Sequence, residues 1–447
     1  MRNWSDKKVL ILGFSKSGIS AAEYLAQRGA NCYITEKKPL SEKLAQKAEE
    51  LKQLGVKLEF EKHSESFIEN SDIAITSPGI PPHSDLIKKI KEKNIPIISE
   101  IELAYLETDT PFIAITGTNG KTTTTSLISH ILSKKYKAPA CGNIGIPPTS
   151  LLNDKNDYLV VELSSFQIEY CSQFKAKIAM FLNFTPDHID WHGGLENYFS
   201  AKSKIFKEQE APEYSIFNAL DEKLSEFAKI SDGITYFFGK EFNKNCCYEK
   251  NNAIYFKKDI EEKIIDIKDI PLVGEHNYQN VMASIITAKI IGLDNDTIRN
   301  AIMDFKAVEH RCEFVTTKNN ISFYNDSKAT NPEASIVAIR SFKNKSVTLI
   351  AGGRDKMTSL DEFCKSINEC ITDTILIGEA ADRFEEALKK NNYNRIYRAD
   401  NLEKAIDKSI ELGNEICLLS PACASFDMFD NYEVRGEVFK DYVTTKI

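Results

Sequence analysis

The 447-residue sequence lacks long hydrophobic runs and any excess of positive charge. Its longest stretch without Asp, Glu, Lys or Arg is residues 138–153, which contains three prolines and two glycines. Such a stretch is too short and too broken to cross a bilayer. The first apolar run, residues 9–12, is too short for a signal-peptide core. Lys plus Arg is 57 and Asp plus Glu is 65, and the resulting net charge of −8 argues against nucleic-acid or anionic-membrane partners.

The ten cysteines contain no Cys-x-x-Cys pair, which argues against a zinc ribbon or a thioredoxin-like redox motif. Scattered cysteines of this kind are typical of a reducing compartment, where they serve as small buried hydrophobic residues. We therefore expect a cytoplasmic protein without disulfides.

The sequence also lacks internal repeats and low-complexity tracts, and it alternates short apolar runs with segments of helical spacing. This alternation predicts βαβ units with parallel strands. The pattern restarts near residues 100 and 307, so we expect three α/β domains with boundaries near 99/100 and 307/308. Aromatic and Lys-rich segments between residues 233 and 270 predict a β-hairpin insertion.

Residues 13–18, Gly-Phe-Ser-Lys-Ser-Gly, connect a predicted strand to a predicted helix. They resemble the Gly-x-Gly-x-x-Gly dinucleotide fingerprint, but Ser15 replaces the middle glycine that lets a pyrophosphate approach the backbone. Glu36 ends the next predicted strand, where an acid could contact a ribose hydroxyl. An NAD site, another nucleotide site and a plain tight turn all remain open. Residues 76–81 form a second turn that could line the same pocket.

Residues 115–122, Ile-Thr-Gly-Thr-Asn-Gly-Lys-Thr, also lie between a predicted strand and a predicted helix. Backbone N–H groups in such a loop point at phosphate, with help from the helix dipole. Lys121 would reach the terminal phosphates of a nucleotide, and Thr122 would bind Mg²⁺. Ile115 stands where the usual motif has glycine, so the loop is a variant P-loop. A bare glycine turn is the alternative.

Candidate metal ligands follow the next two predicted strands of this domain. Glu162 comes directly after an apolar run, where a metal-holding carboxylate or a merely exposed carboxylate could stand. His188 lies in the polar segment 183–190 and could be a metal ligand or a structural histidine. Lys202 lies in Ala-Lys-Ser-Lys, whose composition alone indicates a solvated helix face.

Three polar loops follow three predicted strands of the third domain, at residues 325–332, 352–356 and 420–427. Because the carboxyl ends of parallel strands meet at one edge of a sheet, we expect the loops to share a ligand crevice. Asn331 and Pro332 are explained as a helix N-cap and first helical position. Arg311, near the start of this domain, could clamp a phosphate or form a surface ion pair.

Taken together, these segments resemble the Mur ligase family, which includes folylpolyglutamate synthase. The loop Thr-Gly-Thr-Asn-Gly-Lys-Thr at 116–122 is the family signature. Within the family, the resemblance is to the branch that adds D-glutamate. It rests on residues 162–167, 325–331 and 420–427 with Arg435 and Gly436, and it covers nearly the whole chain.

The resemblance implies an α/β fold of three domains, each with a mostly parallel sheet. The N-terminal domain, 1–99, is expected to be Rossmann-like and to bind a UDP substrate. The central domain, 100–307, is expected to be a P-loop-type ATPase domain. The C-terminal domain, 308–447, is expected to be Rossmann-like and to bind an amino acid.

The resemblance also implies the reaction. ATP phosphorylates the carboxylate of UDP-N-acetylmuramoyl-L-alanine, and the amine of D-glutamate attacks the acyl phosphate. A tetrahedral intermediate then collapses to the amide with release of phosphate. This would be an early cytoplasmic step of peptidoglycan synthesis, carried out by a monomer with ATP and two Mg²⁺ ions.

The resemblance assigns site residues position by position. Lys121, His188 and Lys202 are the catalytic residues. ATP contacts are implied at Gly117, Thr118, Asn119, Gly120, Lys121, Thr122, Thr123, Asn277, Arg311, Asp326 and Lys328. Metal ligands are implied at Thr122, Glu162, His188 and Lys202, the last as a carbamate. UDP-substrate contacts are implied at Ser15, Ser17, Glu36, Lys37, Ser77, Pro78, Gly79, Asn143 and Ser164. D-Glutamate contacts are implied at His188, Lys328, Thr330, Lys356, Ser425 and Phe426.

Three rival hypotheses explain less of the sequence. Another Mur ligase or a folylpolyglutamate synthase is the nearest rival, but the Asp-Asn-Pro-Arg string of the diaminopimelate-adding enzyme is absent and folate enzymes lack the UDP domain. An NAD-dependent dehydrogenase leaves residues 116–122 unexplained. A non-catalytic nucleotide-binding module leaves the polar loops of all three domains unexplained.

Overall fold

A computed structural model of the chain describes residues 2–69, 71–187, 189–206, 211–306, 308–355 and 357–446. It contains three mostly parallel β-sheets flanked by helices, as the sequence predicts. The chain forms two compact units: the first comprises Met1–Asp269 and Gln279–Met303, and the second comprises Ile270–Tyr278 and Asp304–Ile447. Among the helices of the described ranges, none is long and apolar enough to cross a membrane.

The first sheet is fully parallel, with the order β3-β2-β1-β4-β5. Its strands are β1 Lys8–Leu12, β2 Asn31–Glu36, β3 Lys57–Phe60, β4 Ile73–Thr76 and β5 Ile97–Ser99. The flanking helices are α1 Lys16–Ala26, α2 Glu42–Gln53, α3 Glu65–Ile68, α4 Asp85–Glu92 and α5 Glu100–Leu106. Alternate residues of β1 enter two separate cores, Val9 and Ile11 on one face and Leu10 and Leu12 on the other. Burial on both faces explains why this strand reads as a continuous apolar run.

The second sheet has nine strands in the order β14-β13-β12-β11-β10-β9-β6-β8-β7. Its strands are β6 Phe112–Thr116, β7 Ala140–Gly142, β8 Leu159–Glu162, β9 Ile178–Phe181, β10 Tyr214–Asn218, β11 Ile234–Phe238, β12 Cys246–Lys250, β13 Ala253–Lys257 and β14 Glu261–Asp266. The helices are α6 Lys121–Leu132, α7 Ser165–Glu169, α8 Ile189–His192, α9 Leu195–Ser203, α10 Glu222–Phe227, α11 Glu275–Ile291 and α12 Asn295–Met303.

The expected hairpin insertion at 233–270 is only partly correct. β12, β13 and β14 do form antiparallel pairs. However, β11 pairs in parallel with both β10 and β12, so the segment extends the main sheet instead of standing apart from it. The alternation of aromatic and Lys-rich segments with polar turns indicated the antiparallel pairs. It could not show that these strands extend the edge of the nine-stranded sheet.

The third sheet has the order β15-β16-β20-β17-β18-β19, with only β15 and β16 antiparallel. Its strands are β15 Glu313–Lys318, β16 Ile321–Asn325, β17 Val347–Gly352, β18 Asp373–Ile377, β19 Ile396–Arg398 and β20 Ile416–Leu419. The helices are α13 Pro332–Arg340, α14 Asp361–Cys370, α15 Ala381–Lys390, α16 Leu402–Leu412 and α17 Tyr432–Thr445. The two edge strands, β15 and β19, are partly exposed; β15 is largely polar and β19 has only three residues, so neither stands out as an apolar run.

Candidate active site

The variant P-loop lies between β6 and α6, where the sequence places it. Two lysines meet at this loop: Lys121 Nζ donates to the carbonyl oxygens of Gly117 and Thr118 at 3.0 and 2.8 Å. Lys202 Nζ, from α9, donates to the same Gly117 oxygen at 2.8 Å. The turn thus brings two lysine side chains to one backbone carbonyl, beside the N–H groups that a phosphate would contact.

The loop needs its glycines for steric reasons. Gly120 is the N-cap of α6 and has φ +82°, and a Cβ there would lie 2.5 Å from Asn280 Oδ1. Both the left-handed φ and the close contact favour glycine over other residues. A helix of twelve residues that starts without a side-chain cap leaves N–H groups available to an anion.

Asn183 holds the loop against the end of β9, a role that the sequence analysis did not assign. Its Oδ1 accepts from Asn119 N–H at 2.8 Å, and its Nδ2 donates to the Asn119 carbonyl at 3.0 Å. Thr118 Oγ1 also donates to the Thr185 carbonyl at 3.0 Å. The available signal was the polar segment directly after an apolar strand, which suggested only His188.

Lys202 is 2% exposed, so the composition-based expectation of a solvated helix face is wrong. α9 turns this position inward, and the Lys202 ammonium lies 4.8 Å from the centre of the Tyr198 ring. Burial, with the positive charge of Lys121 nearby, lowers the pKa of Lys202 well below its ordinary value. A lysine in this setting is easily neutralised and can act as a nucleophile.

Glu162 ends β8 and is 2% exposed, so it is not the exposed carboxylate of the alternative reading. Its Oε1 accepts from Asn143 Nδ2 at 2.7 Å, whereas its buried Oε2 has no hydrogen-bond partner in the described part of the chain. A buried carboxylate oxygen without a donor is costly unless a cation or proton meets it. This oxygen therefore suits a Mg²⁺ ion.

Of the other expected metal ligands that the structure describes, Thr122 offers a hard hydroxyl oxygen, whereas Lys202 carries an amine. Thr122 is buried at the second position of α6, and Lys202 lies across the Gly117 carbonyl. No group of three or more His, Cys, Asp or Glu residues that could hold a metal occurs within the described ranges. His188, the expected histidine ligand, lies outside the described residues, as does Lys356.

Asn143 and Ser164 occupy turns beside Glu162. Asn143 N–H donates to the Glu162 carbonyl at 2.9 Å, and Gly142, with φ +87°, makes this approach possible because a Cβ there would lie 2.3 Å from the same oxygen. Ser164 caps α7 through a capping box with Gln167. The capping box is a structural role for the Ser164 side chain that needs no ligand. Its contact with the UDP substrate stays a prediction.

A cavity of about 840 Å³ lies at the carboxyl ends of β1, β2 and β4, as expected for a ligand site at a topological switch point. Six of the predicted UDP contacts line it, and Ser17 is not among its lining residues. The six are Ser15, Glu36, Lys37, Ser77, Pro78 and Gly79. Thr35, Lys62 and His63 line it too and were not predicted.

Glu36 organises the first nucleotide loop from the end of β2. Its Oε2 accepts from Phe14 N–H and its Oε1 accepts from Lys38 N–H, both at 2.9 Å. Ser15 Oγ lies 2.9 Å from Ser77 Oγ, which joins the two turns that line the cavity. The carboxylate therefore already occupies the N–H groups of Phe14 and Lys38.

In the second unit, Asp326 is buried and both of its carboxylate oxygens have donors. Oδ1 accepts from Cys312 N–H at 3.1 Å, and Oδ2 accepts from Ser420 Oγ at 2.7 Å. Burial raises the pKa of Asp326 to about 7. In this arrangement Asp326 anchors the turn that carries Arg311, and direct ATP contact by Asp326 stays a prediction.

Arg435 ties two of the three polar loops together from inside α17. Its Nε donates to Ser327 Oγ at 2.9 Å, and its Nη2 donates to the carbonyls of Ser327 and Cys423 at 2.8 and 3.1 Å. The side chain is fully buried, and burial lowers the pKa of Arg435 to about 10. Arg435 therefore holds the loops 325–332 and 420–427 next to each other, as a shared crevice would need. The available sequence signal was weak: Arg435 lies at helical spacing from the apolar residues Phe439 and Val443, which are buried with it.

The predicted amino-acid contacts of the second unit follow the ends of β16 and β20. Lys328 lies 5.5 Å from the Tyr432 ring centre, and Thr330 N–H donates to the Lys328 carbonyl at 2.9 Å. Ser425 is buried, whereas Phe426 is 63% exposed. Asn277 is buried in α11, where its Nδ2 donates to the Val273 carbonyl at 2.7 Å.

Comparison with known families defines the class of protein. Three family models match: the MurD-like N-terminal domain of Mur ligases over residues 7–99, the Mur ligase middle domain over 115–288, and the Mur ligase glutamate ligase domain over 310–423. The chain belongs to the Mur ligase family.

The curated relatives share the name of one particular member of this family. A protein of Thermoanaerobacter pseudethanolicus is 41% identical over 98% of both chains, and one of Bacillus cereus is 38% identical over 98% of this chain and 97% of its own. Both carry the name UDP-N-acetylmuramoylalanine–D-glutamate ligase. The crystal structure of UDP-N-acetylmuramate-alanine ligase MurC from Thermotoga maritima has the same fold, with a TM-score of 0.60. The two sequences are 18% identical, and the match covers 98% of this chain and 100% of the other.

Proposed function

We propose that this chain is an ATP-dependent ligase that adds D-glutamate to UDP-N-acetylmuramoyl-L-alanine, giving ADP and phosphate, in cytoplasmic peptidoglycan synthesis. The observation that carries the proposal is the full-length identity of 38–41% with ligases of this name. The position of Lys121 at the P-loop is the geometric counterpart, because it supplies a positive charge where a phosphoryl group would be transferred.

We propose one domain for each substrate. Residues 1–99 bind the UDP moiety in the cavity of β1, β2 and β4, residues 100–307 bind ATP, and residues 308–447 bind D-glutamate. Each of the three ranges contains the strands of one sheet, which supports this division. Boundaries near 99/100 and 307/308 remain predictions, and Ile270–Tyr278 groups with the C-terminal unit by its contacts.

For phosphoryl transfer, we propose that the P-loop binds the phosphates of ATP through its N–H groups and Lys121. The other proposed ATP contacts are Gly117, Thr118, Asn119, Gly120, Thr122, Thr123, Asn277, Arg311, Asp326 and Lys328. The γ-phosphoryl group passes to the substrate carboxylate, and the bond to the ADP oxygen breaks. The chain orients the reactants and neutralises charge, which is how most phosphoryl transfer is catalysed.

For metal binding, we propose Thr122, Glu162, His188 and a carbamate on Lys202. The neutral Lys202 amine adds CO₂ and loses a proton, so that a carbamate anion replaces the neutral amine. Burial supports this step, because it favours the neutral amine that must attack. Two Mg²⁺ ions, when bound, would neutralise the developing phosphoryl charge.

For the amino acid, we propose that Lys328 and Lys356 face the two carboxylates of D-glutamate, with Thr330, Ser425, Phe426 and His188 around them. Two cations matched to a dianion give charge-assisted hydrogen bonds. The amine attacks the acyl phosphate carbon, a proton leaves the amine, and phosphate departs as the amide forms.

A substrate panel tests the proposal. The purified protein receives ATP, Mg²⁺ and UDP-N-acetylmuramoyl-L-alanine with D-glutamate, L-alanine, L-lysine or diaminopimelate, and both ADP and the new amide are measured. We expect the fastest coupled turnover with D-glutamate. Faster amide formation with another amino acid would overturn the assignment. Omitting the UDP substrate controls for uncoupled ATP hydrolysis.

A further inference from the structure

The loop that follows β17 is joined to the loop that follows β20. Arg354 N–H donates to the Ala424 carbonyl at 2.8 Å, and Ala424 N–H donates back to the Arg354 carbonyl at 3.2 Å. In sequence, Ala424 directly precedes Ser425, and Arg354 lies two residues before Lys356. The two proposed amino-acid-binding loops therefore share a two-hydrogen-bond bridge at one end.

Arg383 of α15 holds the other end of the β17 loop. Its Nη1 donates to Asp355 Oδ2 and its Nη2 donates to the Thr358 carbonyl, both at 2.6 Å. The side chain of Asp355 is only 15% exposed, and that of Arg383 is 33% exposed. This is a two-point contact with a planar guanidinium, which a lysine cannot reproduce.

Between these two anchors the backbone is strained at Met357. Met357 has φ +57°, and its side chain is 74% exposed, so packing of that side chain does not compensate for the strain. Met357 N–H donates to Asp355 Oδ1 at 2.8 Å, while Arg383 holds the other oxygen of the same carboxylate. A non-glycine residue in this region persists only when its surroundings hold it there, and such residues cluster at functional sites.

We propose that Arg383, through Asp355, is a positioning residue for amino-acid binding. It holds the strained loop that carries Lys356 and that is bridged to the Ser425 loop. The inference rests on the proposed function, because it assumes that these loops bind the incoming amino acid. Arg383 does not contact the substrate: it acts by keeping the loop in one conformation before the amino acid arrives.

The test compares Arg383→Met with Arg383→Lys in steady-state assays. We expect Arg383→Met to raise the KM for the amino acid about tenfold, with the KM values for ATP and the UDP substrate unchanged within about twofold. Arg383→Lys should give an intermediate KM. Arg398→Met is the matched control, since Arg398 of β19 pairs with Asp382 and Glu385 of α15 and forms no ion pair with the described residues of the loop. Its KM values should equal those of the wild type.

A second-site change separates positioning from general loss of structure. Asn adopts left-handed φ more readily than Met, so Met357→Asn in the Arg383→Met background should recover part of the lost amino-acid affinity. Equal effects on all three KM values, an unchanged amino-acid KM, or no recovery by Met357→Asn would each overturn the proposal. The assay uses whichever amino acid gives the fastest turnover in the substrate panel. A wrong assignment of D-glutamate would therefore show in the substrate panel, whereas a wrong role for Arg383 would show in these KM values.

Discussion

Lys121 and Lys202 share one acceptor, the Gly117 carbonyl, with Nζ–O distances of 3.0 and 2.8 Å. Two ammonium groups this close repel each other, and Lys121 is one of the groups that lower the pKa of Lys202. The arrangement is stable when one amine is neutral or when anions join it. A carbamate on Lys202 and the phosphates of ATP would supply those anions.

Replacing Lys202 with Ala should therefore reduce coupled turnover by about 100-fold or more, because the buried site loses its proposed anionic metal ligand. Formate or acetate should restore part of the activity by occupying the vacated space. Lys204→Ala is the matched control, since Lys204 donates to the Glu169 carbonyl and not to the P-loop. Full activity of Lys202→Ala without additives would remove the carbamate role.

Lys121→Ala should abolish ATP turnover while the fold is retained, because the P-loop loses the cation that contacts the terminal phosphates. We expect a loss of at least about 100-fold in the rate of ADP formation. The thermal midpoint, compared with that of Lys134→Ala beyond the end of the same helix, reports the fold. Unchanged ADP formation by Lys121→Ala would contradict the phosphate role.

Glu162→Gln should raise the Mg²⁺ concentration needed for half-maximal activity at least about tenfold, because a neutral amide is a poor magnesium ligand. The amide oxygen can still accept the hydrogen bond from Asn143, so the turn at 142–145 should persist. A Mg²⁺ titration of activity measures the shift. A wild-type titration curve for Glu162→Gln would show that this carboxylate does not hold the ion.

Glu100 predicts a pH effect on stability that is independent of the active site. It is buried at the start of α5, where its Oε1 accepts from Thr149 N–H and Oγ1 at 2.7 and 2.6 Å. Burial raises the pKa of Glu100 from 4.5 to about 7, despite these hydrogen bonds. Between these values the folded state keeps a proton that the unfolded state has lost, so stability falls as pH rises through this window.

Glu100→Gln removes the ionisation and should be the more stable protein at pH 8. Since one pKa unit corresponds to 1.36 kcal/mol, the gain over the wild type is about 3 kcal/mol at pH 8 and small at pH 4. Urea unfolding of both proteins at the two pH values measures the difference. A gain of equal size at both pH values would show that ionisation is not its cause.

Much of the fold was predictable because the sheets are buried on both faces. Strands such as β1, β6 and β20 read as short apolar runs, and the carboxyl ends of parallel strands locate the polar loops without further information. The β15 and β19 edge strands were not predictable in this way, since half-exposed strands carry no continuous apolar signal.

The P-loop illustrates what a sequence determines alone: glycines with positive φ, a lysine and a threonine at fixed spacing specify a phosphate turn through local sterics and hydrogen bonding. Local spacing could not decide the burial of Lys202, the lack of a hydrogen-bond partner for Glu162 Oε2 among the described residues, or the contacts that Arg435 and Arg383 make with distant loops. Those properties depend on residues far apart in the chain that meet only after folding. Burial then sets their charge and hydrogen bonding, so the tertiary structure decided them.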